Sequence, residues 1–239
     1  MRKCISVVIP AYNEELRIEP TLRSIRDYID SQSVYDFEVI IVDDGSTDQT
    51  LKVARLFEDT LPLRIESLEV NQGKGGAVRH GMLISKGDFV LFMDADNSTE
   101  ISHLEEFIPY MEDFAVVIGS RDLADSQVEK HQSWTKELSG RLGNMLIQSL
   151  ALRGIHDTQC GFKLFSREAV DIIFSRMSIN RWGFDIEALV VADYHSLPIK
   201  ELPVRWINDE RSNVKWTAYP MVMTELCMIQ WKKFKGNYR

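Results

Sequence analysis

The chain has 239 residues, of which 44% are hydrophobic and 27% are charged, and its formal net charge is −8. This length supports a sizeable core, and the negative charge argues against a general nucleic-acid binder, because duplex affinity rests largely on Lys and Arg facing phosphates. The three cysteines are widely spaced and odd in number, which indicates a reducing compartment rather than a disulfide framework. Residues 5–10 already read as a strand, with no signal-peptide apolar region before them, and no apolar stretch approaches the roughly 20 residues that span a bilayer. We therefore expect a cytoplasmic protein that is either free or peripheral on the cytoplasmic face of a membrane.

Short apolar runs alternate with longer amphipathic runs through the first half of the chain. The apolar runs predict strands, in chain order, at residues 5–10, 37–42, 63–68, 89–93 and 114–118. The amphipathic runs predict helices at residues 15–30, 47–58, 76–85 and 100–111. Strands that alternate with helices form βαβ units, so the pattern predicts an α/β fold with a mostly parallel central sheet and helices on both faces.

The second half of the chain is less regular. Residues 122–133 are polar and predict a loop, and residues 134–152 predict a long helix. The remaining predicted elements are helices at residues 167–175 and 184–194, an edge strand at residues 199–204 and, after polar residues 208–215, a C-terminal helix at residues 218–234.

Four polar clusters follow predicted strands at the points where those strands end. They occupy residues 10–14, 43–48, 71–76 and 94–96. Ligands of open α/β sheets bind outside the carboxyl ends of the strands. The clusters therefore predict one ligand site at a common edge of the sheet.

The acidic pair in the fourth cluster predicts a metal site. Asp94 and Asp96 leave a buried apolar run one residue apart, and Mg²⁺ or Mn²⁺ usually takes one or two carboxylates plus phosphate oxygens. The alternative is a calcium loop, in which Asp94, Asp96, Ser98 and Glu105 would stand at positions 1, 3, 5 and 12. That loop requires Gly at position 6, where Thr99 stands, and the segment before the pair reads as a strand rather than a helix.

The second and third clusters predict binding of a nucleotide. The glycine-rich turn at residues 73–76 opens a helix and exposes N–H groups to an anion, and Lys74 and Arg79 add positive charge there. The turn is neither a dinucleotide fingerprint, which would need Gly at position 78, nor a Walker loop. Asp44 is predicted to accept an N–H from a base, whereas the Ser-Thr pair two residues later is predicted to cap a helix.

With these residues the chain resembles the inverting family 2 glycosyltransferases of GT-A fold. The segments that carry the resemblance are VIPAYNE at residues 8–14, VDDGS at 42–46 and DAD at 94–96. Within the family, DTQCGFKLF at 157–165 and RWGFDIE at 181–187 resemble the dolichyl-phosphate β-glucosyltransferases and, more distantly, the dolichol-phosphate mannose synthases. The resemblance implies a single GT-A domain over residues 1–239. Its parts would be a nucleotide-sugar-binding half at 1–121, an acceptor-side half at 122–216 and a C-terminal amphipathic helix at 217–239.

The resemblance also implies roles for individual residues. The candidates for holding the nucleoside are Pro10, Tyr12, Glu14, Asp43 and Asp44. Asp94 and Asp96 would hold Mg²⁺ or Mn²⁺ on the diphosphate of the donor.

Phosphate-binding candidates lie mostly in the second half. Arg121 would face the acceptor phosphate or the donor diphosphate, and Lys163 and Arg181 would hold the acceptor phosphate. The family's usual Gly-Ser-Lys near the C-terminus is replaced by a segment that contains Arg211 and Lys215, which become the candidates there.

The implied reaction is metal-dependent inverting transfer of glucose from UDP-glucose to a polyprenyl (dolichyl-type) phosphate. An acceptor phosphate is already largely ionised at neutral pH, since its second pKa is about 6, so it needs a general base less than a sugar hydroxyl does. Asp157, Asp185 and Glu187 are the candidates for a base, or they orient Arg181 or Lys163 instead.

Two alternative functions stay open. One is a family 2 enzyme that uses another nucleotide sugar or a sugar-hydroxyl acceptor in cell-surface polysaccharide synthesis. The other is a non-catalytic nucleotide-sugar-binding module, against which the intact acidic pair argues.

The predicted C-terminal helix indicates the membrane surface as a further partner. An apolar stripe precedes and overlaps a basic end: Val222, Met223, Leu226, Ile229 and Phe234, with Lys232, Lys233, Lys235 and Arg239. This combination suits a helix that lies on anionic lipid. The alternative is a helix that packs on the core and ends in a solvated basic tail.

Overall fold

The computed structural model describes residues 2–129, 152, 154–207 and 218–239. Within these ranges the chain forms nine strands, which in chain order are β1 Cys4–Ala11, β2 Asp36–Asp43, β3 Leu63–Ser67, β4 Phe89–Met93, β5 Val116–Ser120, β6 Gln127–Glu129, β7 Phe162–Ser166, β8 Ile199–Pro203 and β9 Arg205–Ile207. The helices are α1 Ile18–Ser31, α2 Thr50–Arg55, α3 Lys74–Ile84, α4 Leu104–Phe107, α5 Arg167–Arg176, α6 Phe184–Tyr194 and α7 Ala218–Lys235.

Seven of the strands form the central sheet, in the order β3-β2-β1-β4-β7-β5-β8. Six of them are parallel, and β7 runs antiparallel to both of its neighbours, β4 and β5. The predicted α/β architecture with a mostly parallel sheet is therefore confirmed, and β8 is the predicted edge strand. A separate parallel pair joins β6 to β9.

Side chains of the sheet are buried on both faces, because the period of two along each strand sends alternate residues to opposite sides. Val90 and Phe92 of β4 pack with residues of α3, α5, α6 and α7, whereas Phe89, Leu91 and Met93 pack with residues of α1, α2 and α4. Two apolar layers thus cover the sheet, and this explains why its central strands read as continuous apolar runs.

The structure corrects two predicted elements and adds one strand that was not predicted. The predicted helix at 100–111 is broken into a 3₁₀ turn at Ile101–His103, the short α4 and a second 3₁₀ turn at Ile108–Glu112. Pro109 lies at the start of that second turn, where its missing N–H and its ring end the helix. The predicted loop at 122–133 contains β6. Strand β7 was not predicted, because Lys163 interrupts its apolar pattern.

Some predictions fall outside the described residues. These are the helix at 134–152 apart from Leu152, and the polar segment at 208–215 with Arg211 and Lys215. The division of the chain into a donor half, an acceptor-side half and a terminal helix stays a prediction. Among the helices that the structure describes, none has the length and apolar character that crossing a membrane requires.

Helix α3 lies unusually close to the sheet and to α6, and glycines make this approach possible. A Cβ added to Gly81 would stand 2.5 Å from a methyl carbon of Val8, and one added to Gly75 would stand 2.6 Å from the Cβ of Phe184. The N-terminal end of α3 is therefore held beside the start of α6 and the carboxyl end of β4. This is the edge at which the predicted polar clusters meet.

Candidate active site

Asp94 and Asp96 follow β4 and lie against the turn that precedes β7. The backbone N–H of Asp94 donates to the carbonyl of Gly161 at 3.0 Å, and Asp96 Oδ1 accepts the N–H of Ser98 at 3.0 Å. A Cβ on Gly161 would stand 2.1 Å from Asp94 Oδ2. Only glycine at this position leaves room for the Asp94 carboxylate, so the second-half motif at 157–165 shapes the acidic pair directly.

Each carboxylate of the pair has a cation beside it. Lys74 Nζ lies 2.7 Å from Asp94 Oδ1, and Arg17 Nη1 lies 3.6 Å from Asp96 Oδ2. Burial and the nearby charge of Asp94 raise the pKa of Asp96 above its ordinary value. Burial opposes the charged form of Lys74, but the charges of Asp94 and Asp185 outweigh it and raise the pKa of Lys74.

The donor set of this pair fits Mg²⁺ or Mn²⁺. Two carboxylates one residue apart, one of them packed against the backbone of Gly161, are the hard oxygen ligands that these ions take. Over the described ranges no cluster of three or more His, Cys, Asp or Glu side chains could hold a metal. The pair therefore matches a site in which substrate phosphates complete the coordination.

A second, buried ion pair lies next to Lys74. Lys163 Nζ is 2.5 Å from Asp185 Oδ1 and 2.5 Å from the carbonyl of Cys160, and Lys163 is only 1% exposed. The ring of Phe92 lies 5.6 Å from Lys74 Nζ and 5.5 Å from Lys163 Nζ. Burial raises the pKa of Asp185. The predicted phosphate ligand Lys163 is thus engaged below the site surface, where it positions Asp185.

Arg121 and Asp157 form a bidentate pair. Arg121 Nε and Nη2 donate to Asp157 at 2.7 and 2.9 Å, and the backbone N–H groups of Arg121 and Gln159 donate to the same carboxylate at 3.1 and 3.0 Å. Burial alone would raise the pKa of Asp157, but Arg121 outweighs it and holds that pKa below its ordinary value. Four hydrogen bonds occupy this buried carboxylate, which favours its role as the orienting partner of Arg121.

Glu187 is likewise fully buried and fully engaged. It accepts the backbone N–H groups of Ser178 and Ile179 at 2.8 and 2.7 Å, the hydroxyl of Ser178 at 3.0 Å and the hydroxyl of Tyr238 at 2.9 Å. The next residue, Asn180, accepts the N–H of Gly76 through its carbonyl at 3.0 Å. Glu187 therefore holds the loop that supports the start of α3, rather than facing the acidic pair.

Asp44 organises the glycine-rich turn. Its carboxylate accepts the N–H groups of Gln72 at 2.6 Å and Gly73 at 2.8 Å, and burial raises its pKa. Gly73 has a φ of +91°, and a Cβ there would stand 2.5 Å from the carbonyl oxygen of Asn180. The turn thus needs glycine, and Asp44 fixes it so that Lys74 points at Asp94.

Asp43 offers a different acceptor at the same end of the site. Its Oδ2 accepts the N–H of Ser46 at 3.2 Å, whereas its buried Oδ1 has no hydrogen-bond partner among the described residues. Arg181 lies here as well, because its Cγ would be 3.1 Å from a Cβ on Gly73 and its charge acts on Asp44. The structure therefore places Arg181 beside the glycine-rich turn, and its role at the acceptor phosphate stays a prediction.

The first cluster joins the loops after β1 and β2. Asn13, with a φ of +55°, donates its N–H to Ser46 Oγ and accepts the N–H of Thr47, both at 2.9 Å. Pro10 is buried and Tyr12 is exposed. Arg17 Nε and Nη2 donate to the two carboxylate oxygens of Glu14 at 2.6 and 2.5 Å. The structure thus places the Glu14 carboxylate on Arg17, the residue that also reaches Asp96.

Arg79 is directed away from the glycine-rich turn. Its Nε donates to the carbonyl of Phe174, in α5, at 2.8 Å. Five positions along a helix turn a side chain by about 140°, so Arg79 faces α5 while Lys74 faces the acidic pair. The expectation that both cations serve the glycine-rich turn is corrected.

Sequence reasoning missed two residues that shape the acidic pair. Arg17 was read only as part of an amphipathic helix, and its contact with Asp96 depends on how the loop after β1 folds back. Gly161 lies in the segment at 157–165 that carries the family resemblance. A glycine there could have indicated that another part of the chain approaches its backbone closely.

Comparisons with known proteins point to one family. The family model described as "Glycosyl transferase family 2" matches residues 6–174. The chain is 35% identical to the dolichyl-phosphate beta-glucosyltransferase of Homo sapiens over 99% of this chain and 78% of that protein. It is 37% identical to the enzyme of the same name from Dictyostelium discoideum, over 88% of this chain and 68% of that protein.

Solved structures with the same fold include one with bound ligands. The glucosyl-3-phosphoglycerate synthase of Mycobacterium tuberculosis, in complex with Mn²⁺, UDP-glucose and phosphoglyceric acid, superposes with a TM-score of 0.71. The alignment covers 97% of this chain and 79% of that one at 22% identity, so the likeness is one of fold.

Proposed function

We propose a specific reaction for this chain, which belongs to glycosyl transferase family 2, has the GT-A fold and is a glycosyltransferase. The reaction is the inverting, metal-dependent transfer of glucose from UDP-glucose to a polyprenyl phosphate. The names of the related dolichyl-phosphate beta-glucosyltransferases support the sugar and the acceptor. The cytoplasmic location stays a prediction.

The donor end supports binding of a uridine diphosphate. Uracil presents one N–H, and Asp43 Oδ1 is a buried acceptor that lacks a partner among the described residues. Asp94 and Asp96 would hold Mg²⁺ or Mn²⁺, which when bound neutralises charge on a diphosphate leaving group. Lys74, 2.7 Å from Asp94, adds a fixed positive charge at the same place.

The choice of a phosphate acceptor rests on one observation: the carboxylates of the three candidate bases are already engaged by other groups of the protein. Asp157 accepts four hydrogen bonds, Glu187 also accepts four, and Asp185 is paired with the buried Lys163. A sugar hydroxyl needs a base to remove its proton in the transition state. A phosphate acceptor arrives largely ionised and needs none, so the engaged carboxylates favour a phosphate.

The acceptor phosphate requires cations of its own. A guanidinium carries five N–H donors, and Asp157 takes the Nε and one Nη of Arg121, which leaves Nη1 outside that pair. The Asp157 contact also fixes the plane of the guanidinium. We assign Arg121 to the acceptor phosphate and Arg181, beside the glycine-rich turn, to the donor.

A donor-by-acceptor screen tests this function. Purified protein would be incubated with Mn²⁺ and, in turn, UDP-glucose, GDP-mannose or UDP-N-acetylglucosamine, each with a short polyprenyl phosphate. We expect glucosyl transfer from UDP-glucose, lost when EDTA removes the metal. Transfer only from GDP-mannose would exclude glucose as the donor sugar, and transfer only to a sugar hydroxyl would exclude the phosphate acceptor.

A further inference from the structure

Helix α7 has one apolar face that packs on the protein. Leu226 and Ile229 are buried, and Val222 and Met223 pack against the same core. Most of the apolar stripe predicted from the sequence therefore serves core packing. Phe234, the last member of that predicted stripe, points elsewhere and is 87% exposed.

The opposite face of α7 is also apolar, and it is exposed. It carries Cys227, Met228, Trp231 and Phe234, which we call the outer stripe; the last three are 50%, 58% and 87% exposed. At about 100° per residue these positions fall within an arc of about 120°, so they form one surface. An exposed stripe of large apolar side chains marks an interaction site rather than chance exposure.

The chemistry around the outer stripe selects its occupant. The chain carries a net charge of −8, yet residues 232–239 contain Lys232, Lys233, Lys235 and Arg239 and no acidic residue. Lys235 is exposed on the same face and lies 5.9 Å from the Trp231 ring, and Arg239 is exposed beyond it. An aromatic and apolar stripe with cations at one end matches the headgroup region of an anionic bilayer.

The outer stripe is also connected to the candidate active site. On the inner face of α7, Glu225 Oε2 accepts the N–H of Gly183 at 2.7 Å, two residues before Asp185. A Cβ on Gly183 would stand 2.9 Å from Glu225, so the helix and the turn are in direct contact. Helix α7 therefore joins the outer stripe, through its inner face, to the segment that carries Arg181 and Asp185.

We propose that the outer stripe, with Lys235 and Arg239, is a docking surface for an anionic lipid bilayer. The proposal deepens the proposed function and rests on it, because a polyprenyl-phosphate acceptor keeps its tail in the membrane. Docking there would hold α7 at the bilayer surface, and the Glu225–Gly183 contact links that helix to the turn at residues 181–183. No membrane-spanning segment is required for such contact.

Vesicle co-sedimentation tests the docking surface without any acceptor present. Vesicles of phosphatidylglycerol and phosphatidylcholine in equal parts would be compared with phosphatidylcholine alone. We expect binding to the anionic vesicles that weakens with added salt. Trp231→Ser with Phe234→Ser should weaken it at least about tenfold, and Lys235→Gln about fivefold.

The matched control is Leu56→Ser, because Leu56 is 72% exposed but lies at the end of α2. This variant should bind vesicles as the wild type does. Phe234→Ser alone provides a second variant at a highly exposed position, and circular dichroism checks that each protein is folded. Equal vesicle binding by the double variant and the Leu56→Ser control would overturn the proposal. The proposal would also be overturned if light scattering showed a dimer that is lost in the double variant while the double variant still bound vesicles as the wild type does.

A separate assay with a short, water-soluble polyprenyl phosphate distinguishes the two proposals. Transfer to this acceptor by a wild type that binds no vesicles would overturn docking and leave the function intact. Vesicle binding that depends on the outer stripe, without transfer to any polyprenyl phosphate, would support docking and overturn the function. If both hold, the double variant keeps activity on the soluble acceptor and loses it on a vesicle-embedded one.

Discussion

Single residues set the geometry of the acidic pair. Gly161 leaves room for the Asp94 carboxylate, Lys74 balances its charge, and Arg17 joins Asp96 to Glu14. Apart from the Arg17–Glu14 pair, whose members are three residues apart, these contacts do not follow from spacing along the chain, because the partners lie on different loops. The strand-end position of the pair is readable from an apolar run, whereas its neighbours depend on the folded path of the backbone.

Replacing Gly161 with Ala should damage the metal site while leaving the fold in place. The new Cβ would stand 2.1 Å from Asp94 Oδ2 and push that carboxylate aside. We expect Mn²⁺ affinity, measured by titration calorimetry with UDP, to fall about 10–100-fold, as when supporting contacts of a metal ligand are lost.

Gly154→Ala is the control for that measurement. Gly154 has a positive φ, of +86°, and among the described residues a Cβ there meets nothing within 4 Å. It should cost some stability and leave Mn²⁺ affinity unchanged. Equal Mn²⁺ affinity in both variants would contradict the role assigned to Gly161.

The Asp157→Asn variant should show that Asp157 positions Arg121 and is not a general base. Breaking the buried pair with Arg121 should lower the free energy of unfolding by about 3 kcal/mol near pH 7. Because the folded pKa of Asp157 lies below its ordinary value, this stabilisation is complete above the unfolded pKa of about 3.9 and is lost as pH falls through the folded pKa.

Urea unfolding at several pH values measures this effect. The stability gap between the wild type and Asp157→Asn should narrow as pH drops below about 4. A variant that is as stable as the wild type near pH 7 yet catalytically inactive would instead indicate a general base.

At the scale of elements, most strands and helices were predictable because their apolar periods are clear. Helix α6 was predicted at its observed bounds, and β4 likewise. Strand β7 was missed because Lys163 is buried only by virtue of its pairing with Asp185, a contact that no local pattern encodes. The outer stripe of α7 was missed because one amphipathic helix was expected to have one apolar face.

The end of α7 is tied to the core through Tyr238. Its buried hydroxyl donates to Glu187 at 2.9 Å, and its carbonyl lies 2.7 Å from His195 Nε2. Tyr238→Phe should lower the free energy of unfolding by about 1.5–3 kcal/mol, as expected for a hydrogen bond to a charged group. Tyr110→Phe, at an exposed position, should have almost no effect on the same measurement. Comparable losses in both variants would contradict this anchoring.

At the scale of the whole molecule, the polar clusters converge because parallel strands end at one edge of the sheet. Asp44 fixes the turn that aims Lys74, Glu187 holds the loop that supports it, and Glu225 joins α7 to the turn before Asp185. The sequence was sufficient to predict the family and the edge of the sheet at which the polar clusters meet. It could not distinguish residues that face the substrate from residues that position other side chains, because aspartate and glutamate serve both purposes.

The proposed reaction is tested directly by the product formed from UDP-glucose and a short polyprenyl phosphate with Mn²⁺. We predict a glucosyl phosphate of β configuration by nuclear magnetic resonance, since UDP-glucose is α-linked and the transfer inverts. The product should disappear in Asp94→Asn and persist in Leu56→Ser. An α-linked product, or one formed equally well by Asp94→Asn, would contradict the account.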